Sequence, residues 1–495
     1  MLVGADEACP VDVVFINSPL KNYDLSPRYN DFTLPVLGLG YIATYACEQG
    51  FNVGVLDAEA LGLGISRVTS LINKLKPRWV GLNLLAPTYR YSVEILQGLN
   101  PEIAVMLGGH QAKAMPMRIL SDPKIPRIDA LILGEGETRV AAILQDTTRR
   151  NELPLVWWRD SSGEICQSSP PSNTCTAYWL APDINSLPFV DRNFLVQDPF
   201  KTESGRIEAS MVGSRGCPYD CSFCGAAISA NPDISIRTRN PDNIIAEMES
   251  TASSYEATAF RFVDDLFLAS PSFMRKCLTA FKEHGIGEKF VWDATGRINI
   301  LSRAPESLLD LMKETGCREV ALGIESGSER LLKYMGKRIT PEMTKAVVQA
   351  LTRRGIDVKG YFILGFPTET HSELEETIRL IHELWDLSEQ GPGTFRCSVF
   401  EFRPYPGTPE WNRLMATGHY NEEALLRYES VDLTDNGQLS EMLERDEFNF
   451  SVNQQFGEVP IAVVQDHLTQ IMVEQKLRLP NHKDHVQRVK LALRV

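Results

Sequence analysis

The sequence lacks the features of a membrane-spanning or nucleic-acid-binding protein. No apolar run approaches the roughly 18 residues that cross a bilayer, and the first residues are acidic rather than basic, so no signal peptide is predicted. The chain has 50 Lys and Arg against 64 Asp and Glu, which gives a net charge of −14. A general nucleic-acid-binding protein would need a more basic surface to neutralise phosphates. We therefore expect a cytoplasmic protein that spans no membrane and binds no nucleic acid.

Cysteine is also sparse, with 10 in 495 residues, yet three of them share one short stretch. The stretch SRGCPYDCSFCGAA, residues 214–227, contains Cys217, Cys221 and Cys224, and no histidine lies within forty residues on either side. In a reducing compartment, clustered cysteines are more often metal ligands than disulfides. This triplet is therefore the first candidate for a functional site.

The spacing C-x3-C-x2-C narrows the kind of metal centre. A structural zinc ion is closed by four protein ligands, and this loop offers only three thiolates. Three thiolates suit a 4Fe–4S cubane whose fourth iron stays open to another ligand. The spacing thus favours an iron–sulfur cluster, with a zinc site or inert cysteines as the alternatives.

The first 150 residues alternate apolar strands with helical segments, as in VDVVFINSP followed by VLGLGYIATYACEQG. This alternation predicts a doubly wound parallel sheet, an α/β fold in which ligands bind beyond the carboxyl ends of the strands. Two of these ends are rich in small residues. They are Gly108, Gly109 and His110, and Gly134, Glu135 and Gly136.

The segment GLGYIA, residues 38–43, has glycine spacing that fits a dinucleotide-binding motif. That motif requires its glycines in a tight turn directly after the first strand. Here about twenty residues intervene, so we interpret the segment as a helix that packs closely through small residues.

The remainder divides into three predicted regions. Residues 151–205 lose periodicity and read as a linker that contains a hairpin around Ser-Ser-Gly. Residues 206–416 form six βα units, which predicts a barrel that is open or incomplete because eight units close a full one. Residues 417–495 read as helical and charged, and we expect them to cap the barrel mouth and shape a substrate site.

The second region resembles the radical S-adenosylmethionine (SAM) enzymes. Their signature is C-x3-C-x-aromatic-C, and Phe223 fills the aromatic position. Further motifs follow in the family's order: FVDDLF (262–267), GRI around Arg297, LGIESGSE, GYFILGFPTET (360–370) and RPYPGTP (403–409). The resemblance implies a partial (β/α)6 TIM-like barrel, in which the three cysteines hold a 4Fe–4S cluster that cleaves SAM to a 5′-deoxyadenosyl radical.

The same resemblance implies roles for residues at the strand ends. Asp264 and Asp265 stand where the family holds the methionine amino group of SAM, and Glu325 and Ser326 stand where it grips the ribose. The remaining residues that the resemblance assigns to SAM are Phe223, Arg297 and Gly365.

The N-terminal region resembles the Rossmann-like cobalamin-binding domain that precedes the radical core in one large subgroup. The resemblance rests on Pro35 to Ala43, on GGH (108–110) and on GEGE (134–137). One departure is that the D-x-H-x-x-G motif of classical cobalamin mutases is absent. We therefore expect cobalamin without a protein imidazole beneath the cobalt, and His110 as a loop residue rather than a ligand.

Together the two resemblances imply a cobalamin-dependent radical SAM enzyme. The leading hypothesis is a methyltransferase that acts on an unactivated carbon, or on phosphorus, of a small metabolite and uses two SAM per turnover. The implied partners are a small-molecule substrate and an external electron donor of the flavodoxin or ferredoxin type.

Three alternatives stay open. The first is a cyclase or ring-rearrangement enzyme without methyl transfer, because the same architecture hosts those reactions. The second is a methylthiotransferase, which needs three further cluster cysteines that Cys9 and Cys47 cannot supply. The third is a non-enzymatic cobalamin or iron–sulfur scaffold.

Overall fold

The computed structural model describes residues 2–25, 34–202, 205–232, 236–430, 450–479 and 488–489. These residues form two compact units, with the division near Asp198. The domain limits given above, with boundaries at 150, 205 and 416, stay predictions. No helix within the described residues is long and apolar enough to cross a membrane.

The first unit contains one seven-stranded sheet in the order β2-β1-β3-β4-β5-β6-β7. Pairing is parallel from β2 through β5, and the predicted hairpin then adds β6 and β7 in antiparallel pairing. The strands are β1 Val13–Asn17, β2 Val53–Asp57, β3 Trp79–Asn83, β4 Ala104–Gly108, β5 Ala130–Ile132, β6 Val156–Arg159 and β7 Ile165–Gln167. The helices are α1 Leu37–Glu48, α2 Ile65–Leu75, α3 Tyr89–Gln97, α4 His110–Ala114, α5 Pro116–Ser121, α6 Glu137–Gln145 and α7 Thr176–Leu180.

Both faces of this sheet are buried. Val14 and Ile16 of β1 belong to one apolar cluster, and the alternate residues Val13 and Phe15 belong to another. A strand that is apolar on both faces is typical of a parallel sheet covered by helices on both sides. The prediction of a doubly wound α/β sheet is therefore confirmed.

Helix α1 explains the glycine pattern GLGYIA. A Cβ at Gly40 would lie 2.9 Å from both Val190 Cγ2 and Leu195 Cδ2, so this position needs glycine for close packing. Gly50, just past the end of the helix, has φ +89, the left-handed conformation that ends many helices. The segment is thus a packing helix, as predicted.

The second unit contains a curled sheet in which six strands run parallel in the order β16-β15-β14-β13-β12-β9. Strand β8 pairs antiparallel with β9, and the short β19 pairs with β8. The strands of the second unit, including the separate pairs β10-β11 and β17-β18, are β8 Phe200–Thr202, β9 Ile207–Met211, β10 Ser214–Arg215, β11 Arg237–Thr238, β12 Ala259–Phe262, β13 Val291–Gly296, β14 Cys317–Glu325, β15 Asp357–Leu364, β16 Phe395–Glu401, β17 Glu429–Ser430, β18 Phe450–Ser451 and β19 Arg488–Val489. The predicted six-stranded half-barrel is confirmed.

Helices cover the outer face of the half-barrel. Strand residues such as Met211, Phe262 and Phe362 pack with them in one large apolar core. The helices are α8 Pro241–Tyr255, α9 Pro271–Glu283, α10 Ile286–Lys289, α11 Ile298–Leu301, α12 Glu306–Glu314, α13 Glu329–Tyr334, α14 Pro341–Thr352, α15 His371–Ser388, α16 Pro409–Ala416, α17 Glu422–Leu425 and α18 Ile461–Arg478.

Helix α18 lies against β16, the last parallel strand of the half-barrel. Its Val464 and Leu468 join the main core, and the amide of Gln475 bonds both the backbone N–H and the carbonyl of Cys397 in β16. The helix thus satisfies polar backbone that an edge strand would leave open. Within 417–495, residues 431–449, 480–487 and 490–495 lie outside the described residues, so the predicted cap of the barrel mouth stays a prediction.

Candidate active site

The cysteine loop follows β9 and β10 at the carboxyl end of the half-barrel. The backbone N–H of Ser222 donates to Met335 O at 2.9 Å, and the N–H of Ile228 donates to Tyr219 O at 3.0 Å. Phe223 packs edge-on against Phe366, with ring centroids 6.1 Å apart. The aromatic residue of the motif therefore anchors the loop in an apolar cluster beside the cysteines.

The three thiols have different exposure. Cys221 is buried, and Cys217 and Cys224 are half-buried. Burial raises the pKa of Cys217 and raises that of Cys224 to about 12, so both are protonated thiols in the absence of a positive centre. Iron supplies such a centre, because metal ligation deprotonates the coordinating thiol.

The donor set fits a 4Fe–4S cubane, because the three cysteines supply three thiolates from one loop. A 4Fe–4S cluster binds each cysteine at a different iron, so its ligands need not converge on one point. Three thiols on one pinned loop match this requirement.

Arg297 connects this loop to the end of β13. Its Nη1 donates to Cys221 Sγ at 3.3 Å and its Nη2 donates to Lys337 O at 2.9 Å. The guanidinium also stacks on the ring of Tyr219, with 3.6 Å from Cζ to the centroid, and its Nε donates to Asn299. The sequence motif around Arg297 therefore contacts a proposed cluster ligand directly.

Glu325 and Lys337 form a buried ion pair at the end of β14. Lys337 Nζ lies 2.8 Å from Glu325 Oε1, and the ammonium is 5.9 Å from the centroid of the Phe223 ring. A Cβ at Gly323 would lie 2.3 Å from Glu325 Oε1 and 2.7 Å from Lys337 Nζ. A side chain at this position would displace the pair from this arrangement, and Glu325 itself adopts the rarely populated φ of +71.

The two aspartates of FVDDLF have separate environments. Asp264 is buried and its Oδ2 accepts the N–H of Gly213 at 3.0 Å, whereas Asp265 is exposed. Burial raises the pKa of Asp264 to about 7. The charge of Asp265 contributes to the raised pKa of both Cys217 and Cys224, which places its carboxylate near the cysteine loop.

Ser326 and Gly365 stabilise the loops around the site. Ser326 is fully buried, and its Oγ lies 3.1 Å from Thr377 Oγ1 in α15, so its hydroxyl is used in packing. Gly365 has φ +73, and its N–H donates to Glu369 Oε2 at 2.6 Å. The Glu369 carbonyl in turn accepts the N–H of Glu458 at 2.8 Å, which links this turn to the C-terminal segment.

The inner face of the half-barrel is polar, in contrast to the apolar outer face. Arg261 Nη2 of β12 lies 2.9 Å from Glu208 Oε1 of the neighbouring β9, and Arg318 Nη2 of β14 reaches across to Glu208 Oε2 at 2.8 Å. Farther along the sheet, Arg396 Nη2 lies 2.6 Å from Glu319 Oε1. These paired charges offset one another near the amino ends of the strands.

In the first unit, the glycine motifs meet on neighbouring strands. Gly108 ends β4, and a Cβ at this position would lie 3.5 Å from Ile132 O at the end of β5. Gly109 has φ +93, and a Cβ there would lie 2.2 Å from Asn83 Oδ1, so a larger residue cannot replace it. Beside them Gln111 is buried with its Oε1 lacking a hydrogen-bond partner in the described structure.

The GEGE turn is built by a buried arginine. Gly134 has φ +101, and the fully buried Arg139 of α6 donates from Nη2 to the carbonyls of Leu133 and Glu135. A Cβ at Gly136 would lie 2.9 Å from Ile42 Cδ1 of α1. Arg139 therefore fixes the turn. The edge of small residues, with the unbonded Gln111 Oε1 beside it, fits a flat ligand that carries polar substituents.

His110 is exposed at the first residue of α4, after β4. His110 therefore opens a helix instead of lying within a loop, and its role toward cobalamin stays a prediction.

The structure brings Cys221, Phe223, Arg297 and Glu325 into one connected group and turns Asp264 and Ser326 away into packing. Sequence reasoning missed Lys337, which completes this group. The signal was a lysine in MGKR twelve residues after Glu325, but nothing in the sequence marks it as buried. It also missed Glu369, whose burial raises its pKa to about 7.

Comparisons with known proteins agree with this geometry. Residues 211–381 match the family described as the Radical SAM superfamily, and residues 31–144 match the B12 binding domain. The chain is 28% identical to an uncharacterized methyltransferase of Pyrococcus horikoshii, over 81% of this chain and 83% of that protein. It is 27% identical to the cytidylyl-2-hydroxyethylphosphonate methyltransferase of Streptomyces wedmorensis, over 86% of each.

A third relative, the anaerobic magnesium-protoporphyrin IX monomethyl ester cyclase of Rubrivivax gelatinosus, is 27% identical over 70% of this chain and 62% of that protein. Among solved structures, the cobalamin-dependent radical SAM enzyme OxsB, with aqua-cobalamin and SAM bound, has a TM-score of 0.61. The match has 15% identity and covers 82% of this chain but 61% of OxsB, which shows a shared fold.

The chain therefore carries a B12-binding domain followed by a radical SAM domain, and it is similar to cobalamin-dependent radical SAM methyltransferases. The radical SAM domain implies a 4Fe–4S cluster and SAM, and the B12-binding domain implies cobalamin.

Proposed function

We propose that the protein is a methyltransferase that transfers a methyl group to an unactivated carbon, or to phosphorus, of a small metabolite and consumes two SAM per turnover. The observation that carries the proposal is the presence, in one chain, of a B12-binding domain and a radical SAM domain with its C-x3-C-x-aromatic-C loop. One SAM would supply the methyl group and the other the radical that activates the substrate.

In this proposal Cys217, Cys221 and Cys224 hold the cluster. When bound, the cluster and SAM supply a carbon-centred radical that removes hydrogen, and cobalamin supplies a carrier for the methyl group. The chain's task is to bind and orient these groups and to exclude water from the radical. The pinned cysteine loop and the adjacent apolar cluster serve that task.

Charged residues at the strand ends would bind SAM. Asp265, exposed near the cysteine loop, would accept the ammonium group of the methionine part. Glu325 would accept ribose hydroxyls through Oε2, because within the described residues only its Oε1 is bonded, to Lys337. The turn at Gly365 would lie against the cofactor through its backbone.

The edge formed by Gly108, Gly109, Gly134 and Gly136 would bind cobalamin across the carboxyl ends of β4 and β5. His110 and Glu135 border this edge. Because the sequence lacks the D-x-H-x-x-G motif, we propose that no protein histidine would bind the cobalt.

A small-molecule substrate is consistent with the named substrates of the relatives, a cytidylyl phosphonate and a porphyrin ester. The cyclase relative supports a second candidate, ring closure without methyl transfer. The proposed electron donor is a flavodoxin or ferredoxin, and the proposed location is the cytoplasm.

Two measurements test the proposal. Reconstituted protein should cleave SAM reductively to 5′-deoxyadenosine, and it should hold about four irons per chain. Replacing Cys217, Cys221 and Cys224 with alanine should abolish both, whereas the core variant Cys277→Ala should retain both. Full iron in the triple variant would contradict the assignment.

The second measurement separates methyl transfer from cyclisation. SAM with a deuterated methyl group would be supplied with cytidylyl-2-hydroxyethylphosphonate, with magnesium-protoporphyrin IX monomethyl ester, or with a fractionated metabolite extract. A labelled product formed with equal amounts of S-adenosylhomocysteine and 5′-deoxyadenosine supports the methyltransferase. A product without label identifies a cyclase, and full turnover without cobalamin would refute both.

A further inference from the structure

Arg297 makes a contact that the family roles described above do not assign. We propose that its guanidinium is a positioning residue that raises the reduction potential of the cluster by hydrogen bonding to the sulfur of Cys221. The inference rests on the proposed cluster assignment of the cysteine loop.

The contact is direct and enclosed. Arg297 Nη1 lies 3.3 Å from Cys221 Sγ, and both side chains belong to buried residues, with 8% and 5% of their surfaces exposed. A unit charge this close to a thiolate interacts more strongly in a low-dielectric interior than in water. Reduction adds negative charge to the cluster, so a neighbouring cation favours the reduced form.

Hydrogen bonds to cluster sulfurs and local charge are two of the levers that set iron–sulfur potentials. Arg297 supplies both from one side chain. A lysine would keep the charge but lose the planar fork, in which one nitrogen binds sulfur while another binds a carbonyl.

The guanidinium cannot easily turn away from the sulfur. Its Nη2 is bonded to Lys337 O at 2.9 Å, and its face lies on the Tyr219 ring at 3.6 Å. Asn299 Oδ1 accepts from Nε and Asn299 Nδ2 donates to Tyr219 OH at 3.2 Å, so the ring and the guanidinium are tied to each other. Three groups, the Lys337 carbonyl, the Tyr219 ring and the Asn299 amide, therefore fix the direction of the Nη1–H bond.

The test is an EPR-monitored redox titration of the reconstituted holoenzyme. At a fixed potential, Arg297→Gln and Arg297→Met should lower the ratio of reduced to oxidised cluster about tenfold, which for one electron is a midpoint about 59 mV more negative. Arg303→Gln removes an exposed arginine six residues away and should leave the midpoint unchanged. Midpoints of both Arg297 variants equal to that of Arg303→Gln would overturn the proposal.

A measurement on the unmodified chain covers the case in which these variants lose the cluster. Pulsed EPR of the reduced wild-type protein, grown with ¹⁵N-arginine, should show a nitrogen coupling that differs from that of unlabelled protein. The absence of any arginine nitrogen coupling would overturn the proposal. Wild-type protein that holds no cluster at all would instead refute the cluster assignment on which it rests.

Discussion

Lys337 and Glu325 are joined by a 2.8 Å ion pair, and a hydrogen-bonded chain continues from the Lys337 carbonyl through Arg297 to Cys221. A proposed SAM-binding residue and a proposed cluster ligand are thus mechanically connected. A substitution at Glu325 or Lys337 should therefore have a measurable effect at Cys221, at the other end of this hydrogen-bonded path.

The first prediction concerns this pair. Lys337→Met or Glu325→Gln should each lower the free energy of unfolding by about 3–5 kcal/mol, because a buried ion loses its partner. The double variant should recover most of that stability, since no unpaired charge is left. Denaturant unfolding measures both effects, and strictly additive losses would show that the pair is not coupled.

SAM affinity should not recover in the double variant, because Glu325 is then no longer a carboxylate that can accept ribose hydroxyls. Equilibrium dialysis with SAM measures this. The variant Gly323→Ala tests the position of the ion pair without removing either charge, because it places a methyl group between Glu325 and Lys337. Its SAM affinity should fall as well.

The second prediction separates Asp264 from Asp265. Burial raises the pKa of Asp264 from about 3.9 in an unfolded chain to about 7. Between these values the folded state binds the proton more tightly, so stability falls as the pH rises through about 7. Asp264→Asn should remove up to about 1.4 kcal/mol per pH unit of that dependence.

The exposed Asp265 provides the contrast. Asp265→Asn should weaken SAM binding and leave the pH dependence of unfolding unchanged. Unfolding titrations from about pH 5 to about pH 8 and SAM dialysis distinguish the two variants. The same loss of SAM affinity in both, with no change in pH slope, would contradict the division of roles.

The third prediction concerns cobalt. His110→Ala should bind cobalamin as the wild type does, because a sequence without the D-x-H-x-x-G motif is not expected to supply a histidine to the metal. EPR of the reduced cobalt should show no coupling to a protein nitrogen in either protein. A nitrogen coupling that disappears in His110→Ala would identify this histidine as the axial ligand.

The fourth prediction concerns the C-terminal helix. Gln475→Ala should lower the free energy of unfolding by about 1–3 kcal/mol, because it removes the two buried hydrogen bonds between the Gln475 amide and the Cys397 backbone. Gln470→Ala, on the exposed face of the same helix, is the control and should change stability little. Equal effects of the two variants would exclude a special role for Gln475.

A shortened chain tests the cap hypothesis itself. A protein that ends near Gly418 lacks α18 and the segment that bonds Glu369, so it should lose stability and substrate turnover together. Normal turnover in a soluble truncated chain would refute the cap.

The parallel strands and the cysteine loop could be predicted because each depends on local signals. Alternating apolar runs gave the parallel strands, and C-x3-C-x2-C is contiguous in the sequence. Which of two neighbouring polar residues is buried could not be predicted. Strand β12 ends at Phe262, and only the path of the chain after that end decides that Asp264 is buried while Asp265 is exposed.

Contacts between residues far apart in the sequence explain the other differences between the predicted and the observed site. Ser326 is bonded to Thr377, a residue 51 positions later, and Lys337 is buried because Glu325 faces it across a glycine. A sequence motif predicts which residue lies at a strand end, but it does not predict which other side chain forms a hydrogen bond with that residue. The role of Ser326 in ribose binding therefore stays a prediction that the Thr377 contact makes less favourable.

The way the half-barrel ends has a consequence for how this chain can diverge. Strand β16 takes its register from β15 through continuous backbone pairing, whereas α18 is attached to β16 by side chains such as Gln475. Substitutions on the exposed face of α18 can therefore accumulate without shifting β15 or β16, whereas Val464, Leu468 and Gln475 are constrained by the barrel residues that they contact. On the cap hypothesis, the exposed part of the C-terminal segment is where a new substrate preference would arise at the smallest cost to the shared chemistry.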